Sequence, residues 1–241
     1  MTTLTDALLD PLLADDAPSG RMGPRITYYD DASGERIELS TVTLANWAAK
    51  TANLLRDELG AGPGVRVAIL LPAHWQTAAV LLGVWWVGAE VVPSGPAEIA
   101  LCTRDRLDEA DAAADGGEVA VLSLDPFGAP AHDLPIGVTD YATAVRVHGD
   151  QAFPEPAPGA ALAGRSVTQV LAEARAAADA AGLSSGDRVL SARPWSTPQG
   201  LVENLVAVLA AGASLVQVAN PDPARSEKRR VTEKVTRTLS E

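Results

Sequence analysis

Residues 65–93 constrain this chain more than any other stretch. Residues 65–71 form a short apolar run, the pattern of a strand buried on both faces, and Pro72 closes it. Residues 75–87 are apolar nearly all round, as in a helix packed between other elements, and Glu90-Val91-Val92-Pro93 reads as the next strand. Strand, helix and strand within about thirty residues make a βαβ unit, which is right-handed by default and implies a parallel sheet. The fold class expected is therefore α/β, a largely parallel sheet or sheets flanked by helices.

The flanking sequence extends this pattern. Leu4, Leu8, Leu9, Leu12 and Leu13 give an amphipathic opening helix, followed to residue 24 by a loop containing Pro and Gly. Residues 26–29 and 35–39 flank Asp31-Ala32-Ser33-Gly34, a hairpin turn. Ser40 or Thr41 can cap a helix whose apolar face is Leu44, Trp47, Ala48, Thr51, Leu54 and Leu55, ending near Gly60. Downstream, 101–114 reads as an acidic helix, 118–124 as a strand and 126–135 as a loop, while 141–153 is ambiguous. A third layer follows: helix 166–181, strand 188–192, helix 201–210 and strand 214–219. The tail from 222 reads as a surface helix plus a terminal strand or frayed end. The Pro/Ala/Gly connector 154–164 divides a first α/β lobe, 1–153, from a second lobe with a basic tail, 165–241.

Charge and cysteine usage exclude several classes. The formal net charge of −12 repels phosphodiester backbones, so nucleic acid is not an expected partner. One cysteine, Cys102, rules out an intrachain disulfide framework and a Cys-based zinc site. It reads as a small core thiol. The histidines at 74, 132 and 148 are too dispersed for a metal site. Residues 1–16 carry four Asp and no basic residue, unlike a signal peptide. The longest apolar run, 78–89, falls short of the roughly twenty residues of a bilayer span. The expected location is cytoplasmic, with no membrane span.

Three later blocks carry a family resemblance. Residues 64–72, Gly-Val-Arg-Val-Ala-Ile-Leu-Leu-Pro, and 82–93, Leu-Gly-Val-Trp-Trp-Val-Gly-Ala-Glu-Val-Val-Pro, resemble the opening strand and the second helix-to-strand motif of one family. The run from Gly186-Asp187 through Pro194 and Gly200-Leu201 to Gly212-Ala213 is similar to a further segment of it. The family is that of adenylate-forming enzymes: acyl-CoA synthetases and the adenylation domains of peptide synthetases. The chain resembles the N-terminal part of the large domain, less than half of a typical member.

The resemblance implies an ATP-dependent acid ligase using ATP or AMP and Mg, with a Ser/Thr/Gly-rich phosphate loop ending in Pro-Lys. Backbone N–H groups of such a loop face the anion, and its glycines allow close approach. At the matching place stands Gly159-Ala160-Ala161-Leu162-Ala163-Gly164-Arg165-Ser166, which has no lysine. The aromatic-Gly-x-Thr-Glu motif and the late catalytic Lys would lie beyond residue 241. The family's pocket-lining His or aromatic falls at Thr197. Gly164, Arg165 and Ser166 remain as anion-site candidates at a helix N-terminus, against a plain N-cap role for Ser166. Trp195 and Thr197 are candidates for a small-ligand pocket, because a loop indole is seldom needed for folding. No catalytic or metal residue is assigned.

Other features have structural readings beside functional ones. Ser184-Ser185-Gly186 imitates the start of a phosphate loop but leads directly into a strand, as a turn would. Trp85-Trp86 is core bulk or a pocket wall. The cluster Arg225, Lys228, Arg229, Arg230, Lys234 and Arg237, interleaved with Glu227 and Glu233, is a solvated helix face or a docking surface. The function expected is a non-catalytic or vestigial adenylate-forming-like binding or regulatory module without cofactor. It would act with a homo-oligomeric or protein partner and a small acyl or nucleotide ligand. The alternative is an acyl-CoA synthetase-like ligase completed by another chain.

Overall fold

A computed structural model describes residues 2–15 and 23–239. Most of the loop expected before residue 24, and the end of the tail, lie outside the described residues. The chain forms two compact units: one of residues 1–6, 45–72 and 76–167, the other of 7–44, 73–75 and 168–241.

The first unit holds a parallel sheet in the order β4-β3-β5-β6-β7. Strand β3 (Arg66–Leu70) and β4 (Glu90–Val92) pair in parallel at either end of helix α3 (Trp75–Trp86), the βαβ unit of the sequence. Between β3 and β6 (Glu118–Leu122) lies β5 (Ile99–Thr103), and β7 (Val138–Asp140) forms the far edge. Residues 99–103 thus correct the expected helix 101–114. Four successive buried residues, 99–102, leave no polar face to set a helical period, and pairing to strands on both sides makes them a strand. Helix α4 starts only at Leu107 and ends at Ala114. Alternate residues Ala68 and Leu70, Ala100 and Cys102, Val119 and Val121 form one core with Ala110 and Ala114 of α4. Burial pushes the Cys102 thiol up to about 11. Helix α2 (Thr41–Asp57) and α3 approach closely at Gly83, where an added Cβ would come within 2.8 Å of the Thr51 side chain.

The second unit holds the sheet β10-β8-β9-β1-β2. Strands β1 (Pro24–Asp30) and β2 (Glu35–Ser40) form the expected antiparallel hairpin, with Gly34 at φ +80° in the turn. The other neighbours, β8 (Arg188–Ser191), β9 (Ser214–Ala219) and β10 (Arg237–Leu239), pair in parallel, and β1 joins them through β9. That long-range pairing places residues 24–40 in this unit, whereas the sequence division at 154–164 assigned them to the first lobe. Ser40 accepts the Thr43 N–H at 3.1 Å and caps α2. Arg25 is fully buried, donating to the carbonyls of Gly212 and Ala213 at 2.8 Å, and desolvation lowers its guanidinium to about 10.

The basic tail is tied into this unit. Its helix, Pro223–Thr232, begins at an Asp222 cap that accepts the Ala224 N–H at 2.9 Å. Arg229 is 7% exposed, pairs with Asp31 and lies 4.5 Å over the Tyr29 ring. Glu233 receives hydrogen bonds from Tyr29, Arg36 and Arg188. Desolvation alone would raise its carboxyl, but these donors hold it below the usual carboxylate range.

Candidate functional site

The segment at the phosphate-loop position is an arm laid along the end of β4. Leu162 bridges Val91 in parallel, and Leu162 and Arg165 pair across a two-residue turn. Ala163 and Gly164 both have positive φ, +45° and +80°, the backbone that a type I′ hairpin turn requires. Most of the donors that would face a phosphate are already committed. The N–H of Gly159 bonds Gly88 O at 3.0 Å, those of Ala161 and Leu162 bond Arg165 O, and that of Ala163 bonds Val91 O at 3.0 Å. The Arg165 N–H returns to Leu162 O at 3.0 Å. The Gly164 N–H donates to the Glu90 carboxylate at 2.5 Å. Glu90 was not legible as a partner, because its pairing is set by the docking of a segment some seventy residues away. From inside, the Trp85 indole donates to Ala161 O at 2.8 Å, which gives this buried tryptophan its structural role. The Arg165 side chain folds back to Leu162 O at 3.2 Å, and Ser166 is the exposed residue before α6 (Val167–Ala180). Gly164, Arg165 and Ser166 therefore sit together on this arm.

Trp195 and Thr197 belong to the other unit, in the loop after β8. Trp195 is 6% exposed and packs inward rather than presenting a surface indole. Thr197 is an N-cap: its Oγ1 accepts the Gly200 N–H at 3.0 Å, opening helix α7 (Pro198–Leu201). A π-helical turn, Val202–Val206, continues it into α8 (Ala207–Ala210). Such turns are frequent at functional sites, and here the turn carries Asn204. The Asn204 side-chain amide donates to Pro194 O at 3.0 Å, and the Gln217 amide donates to Arg193 O at 3.2 Å. A cavity of about 290 Å³ opens beside them, lined by Arg193, Pro194, Thr197, Gly200, Glu203 and Asn204 among others.

A larger crevice, about 500 Å³, lies at the carboxyl ends of the parallel strands. The connection out of β8 runs to β9 on one side, and that out of β9 returns past β8 to β10 on the other. Right-handed crossovers send the two to opposite faces, and ligands of open α/β sheets bind where the strand order reverses in this way. The walls are mainly apolar (Leu190, Val218, Pro221, Leu239), with Ser191, Asp222, Ser226, Arg229 and Thr238 as polar points. Position in the strand order, rather than any local motif, brings these residues together, so the crevice was not legible in the sequence.

The remaining motif residues are structural. Asp187 accepts Ser184 N and Oγ at 2.8 and 2.7 Å and Thr236 Oγ1 at 2.7 Å. Hydrogen bonds from Thr236 and Ser184 hold its carboxyl below the ordinary range. The Ser184–Gly186 stretch is thus a tied turn. Among the described residues no group of three His, Cys, Asp or Glu side chains is placed to hold a metal ion. Nor is any helix there long and apolar enough to cross a membrane.

Comparison with known proteins agrees with this fold. A family model described as AMP-binding enzyme matches residues 19–114. A "TIGR03089 family protein" of Mycobacterium tuberculosis is 68% identical over 99% of this chain and 98% of its own length. An acyl-CoA synthetase of Brucella canis superposes with a TM-score of 0.79 at 19% identity, over 98% of this chain and 46% of that one. A benzoate CoA ligase from Burkholderia xenovorans does so at 0.72 and 18%, over 99% and 50%. The chain spans about half the length of these solved ligases, whose likeness concerns the fold.

Proposed function

The chain belongs to the TIGR03089 family within the AMP-binding, adenylate-forming superfamily, and on that premise we propose that it binds a small acyl or nucleotide-like ligand without activating it with ATP. The observation that carries this reading is the closed arm at 159–165, where the backbone donors of Gly159, Ala161, Leu162, Ala163 and Arg165 are bonded within the protein and that of Gly164 faces Glu90. Polyphosphate binding needs several convergent donors and compensating positive charge. Removing Glu90 would release one N–H only. The strand-end crevice and the 193–204 loop supply the concave, mostly apolar walls with a few polar points that small-molecule sites use. The module is cytoplasmic in this reading, works with a protein partner or a second copy, and requires no Mg.

A second reading has its own support. The chain covers about half of each solved ligase, so another chain could supply the rest of an ATP-dependent acid ligase. Thermal-shift titration with ATP, AMP and an acyl-adenylate analogue separates the two. A ligand at a hundredfold excess over its Kd stabilises by about 2.7 kcal/mol. The leading reading expects a shift with an acyl-type ligand and none with ATP and Mg. An ATP-dependent shift would favour the second.

A further inference from the structure

We propose that Trp195, Asn204 and Gln217 form a recognition niche for a neutral primary carboxamide. The inference rests on the reading that this unit binds a small molecule, and it names the chemistry that the loop after β8 would select. The three side chains are 6%, 2% and 1% exposed, and all engage the same short stretch, 193–195. Because each amide nitrogen bonds a loop carbonyl, Asn204 Oδ1 and Gln217 Oε1 are fixed as acceptors. Neither oxygen has a hydrogen-bond partner among the described residues, nor does the Trp195 indole N–H. Native interiors leave few such atoms unpaired, so several at one loop point to a bound group.

The inventory defines that group. Two acceptors and one donor are complemented by a molecule that donates twice and accepts once. A primary carboxamide does so. A carboxylate would set its oxygens against two amide oxygens, and an ammonium could not accept from the indole. Access is through the 290 Å³ cavity, which Asn204 lines with Pro194, Thr197 and Gly200. Gly200 keeps the loop closed over it, since an added Cβ would lie 3.0 Å from Thr197 Oγ1 and 3.1 Å from Pro194 O.

Benzamide is the probe, with benzoate as its isosteric anion, read on the indole ¹⁵N–¹H resonances of the whole chain. Trp195→Phe identifies the Trp195 signal among the five tryptophans. Benzamide should move that signal saturably and benzoate should not. Asn204→Leu should weaken benzamide about three- to tenfold, the effect of one hydrogen bond. Should Asn204→Leu not fold, Trp195→Phe, which keeps the aromatic volume, should show a similar loss by calorimetry. If benzamide leaves the signal unmoved while benzoate or an acyl-adenylate analogue stabilises the protein, the niche is overturned and the ligand-binding reading stands. If the niche holds water only and none of the three ligands binds, both are overturned.

Discussion

Gly159→Ala tests whether the arm is a fixed strap or an open loop. An added Cβ at 159 would lie 2.9 Å from the Gly64 backbone nitrogen and 3.4 Å from Gly88 O. Both neighbours are main chain, so no side chain can swing away to make room. The arm cannot lift locally either, because Gly159 N–H bonds Gly88 O, Val91 N–H bonds Ala161 O, and the Trp85 indole bonds Ala161 O. Overpacking of this kind costs about 1–3 kcal/mol, and each kcal/mol lowers Tm by about 2–4 °C in a chain of this size. Gly62→Ala is the control, since nothing lies within 4 Å of its added Cβ and its φ is not in the left-handed region. It should be neutral or stabilise by up to about 1 kcal/mol. Urea unfolding followed by tryptophan fluorescence measures both. Equal stability of the two variants would refute the clamped arm.

Other consequences are independent. Glu233→Gln leaves Arg188 and Arg36 around a neutral group and should cost about 3–5 kcal/mol, the range for breaking a buried pair, in the same urea assay. The Glu233 carboxyl is held below its usual range, so the unfolded chain takes up the proton first as pH falls. Wild-type stability from this group is therefore full above about pH 5 and declines below about pH 4, and the variant should lose less on acidification. Glu90→Gln should change stability by less than about 1 kcal/mol, as an exposed contact does, and should not create a calorimetric ATP signal. Cys102, fully buried and raised to about 11, should react with a thiol reagent only at the rate of unfolding.

The sequence made legible what short-range pattern determines. Helical spacing from Leu44 to Leu55 gave α2, the apolar run before Pro72 gave β3, and Asp31–Gly34 gave the hairpin turn. Pairing between distant segments was not legible. The hairpin 24–40 joins β9, nearly two hundred residues away in sequence, and no local signal records that choice. Strand β5 failed differently: a short, wholly buried run has neither a two-residue nor a 3.6-residue period. At the site, the missing lysine was readable in residues 159–166, but the internal bonding that closes their donors was not. In the tail, Arg225, Lys228, Lys234 and Arg237 are exposed, as a solvated face would be, but Arg229 and Glu233 are anchored, because their partners Asp31, Arg36 and Arg188 come from distant parts of the chain.

ATP–pyrophosphate exchange on the purified full chain tests the central claim most directly. With acyl substrates of varied length and aromaticity, Mg and ATP, exchange should not rise above a protein-free background, and an acyl-type ligand should still stabilise the protein. Exchange above background that depends on this chain and an added acid would contradict the account, because no closed arm with committed donors could hold the polyphosphate.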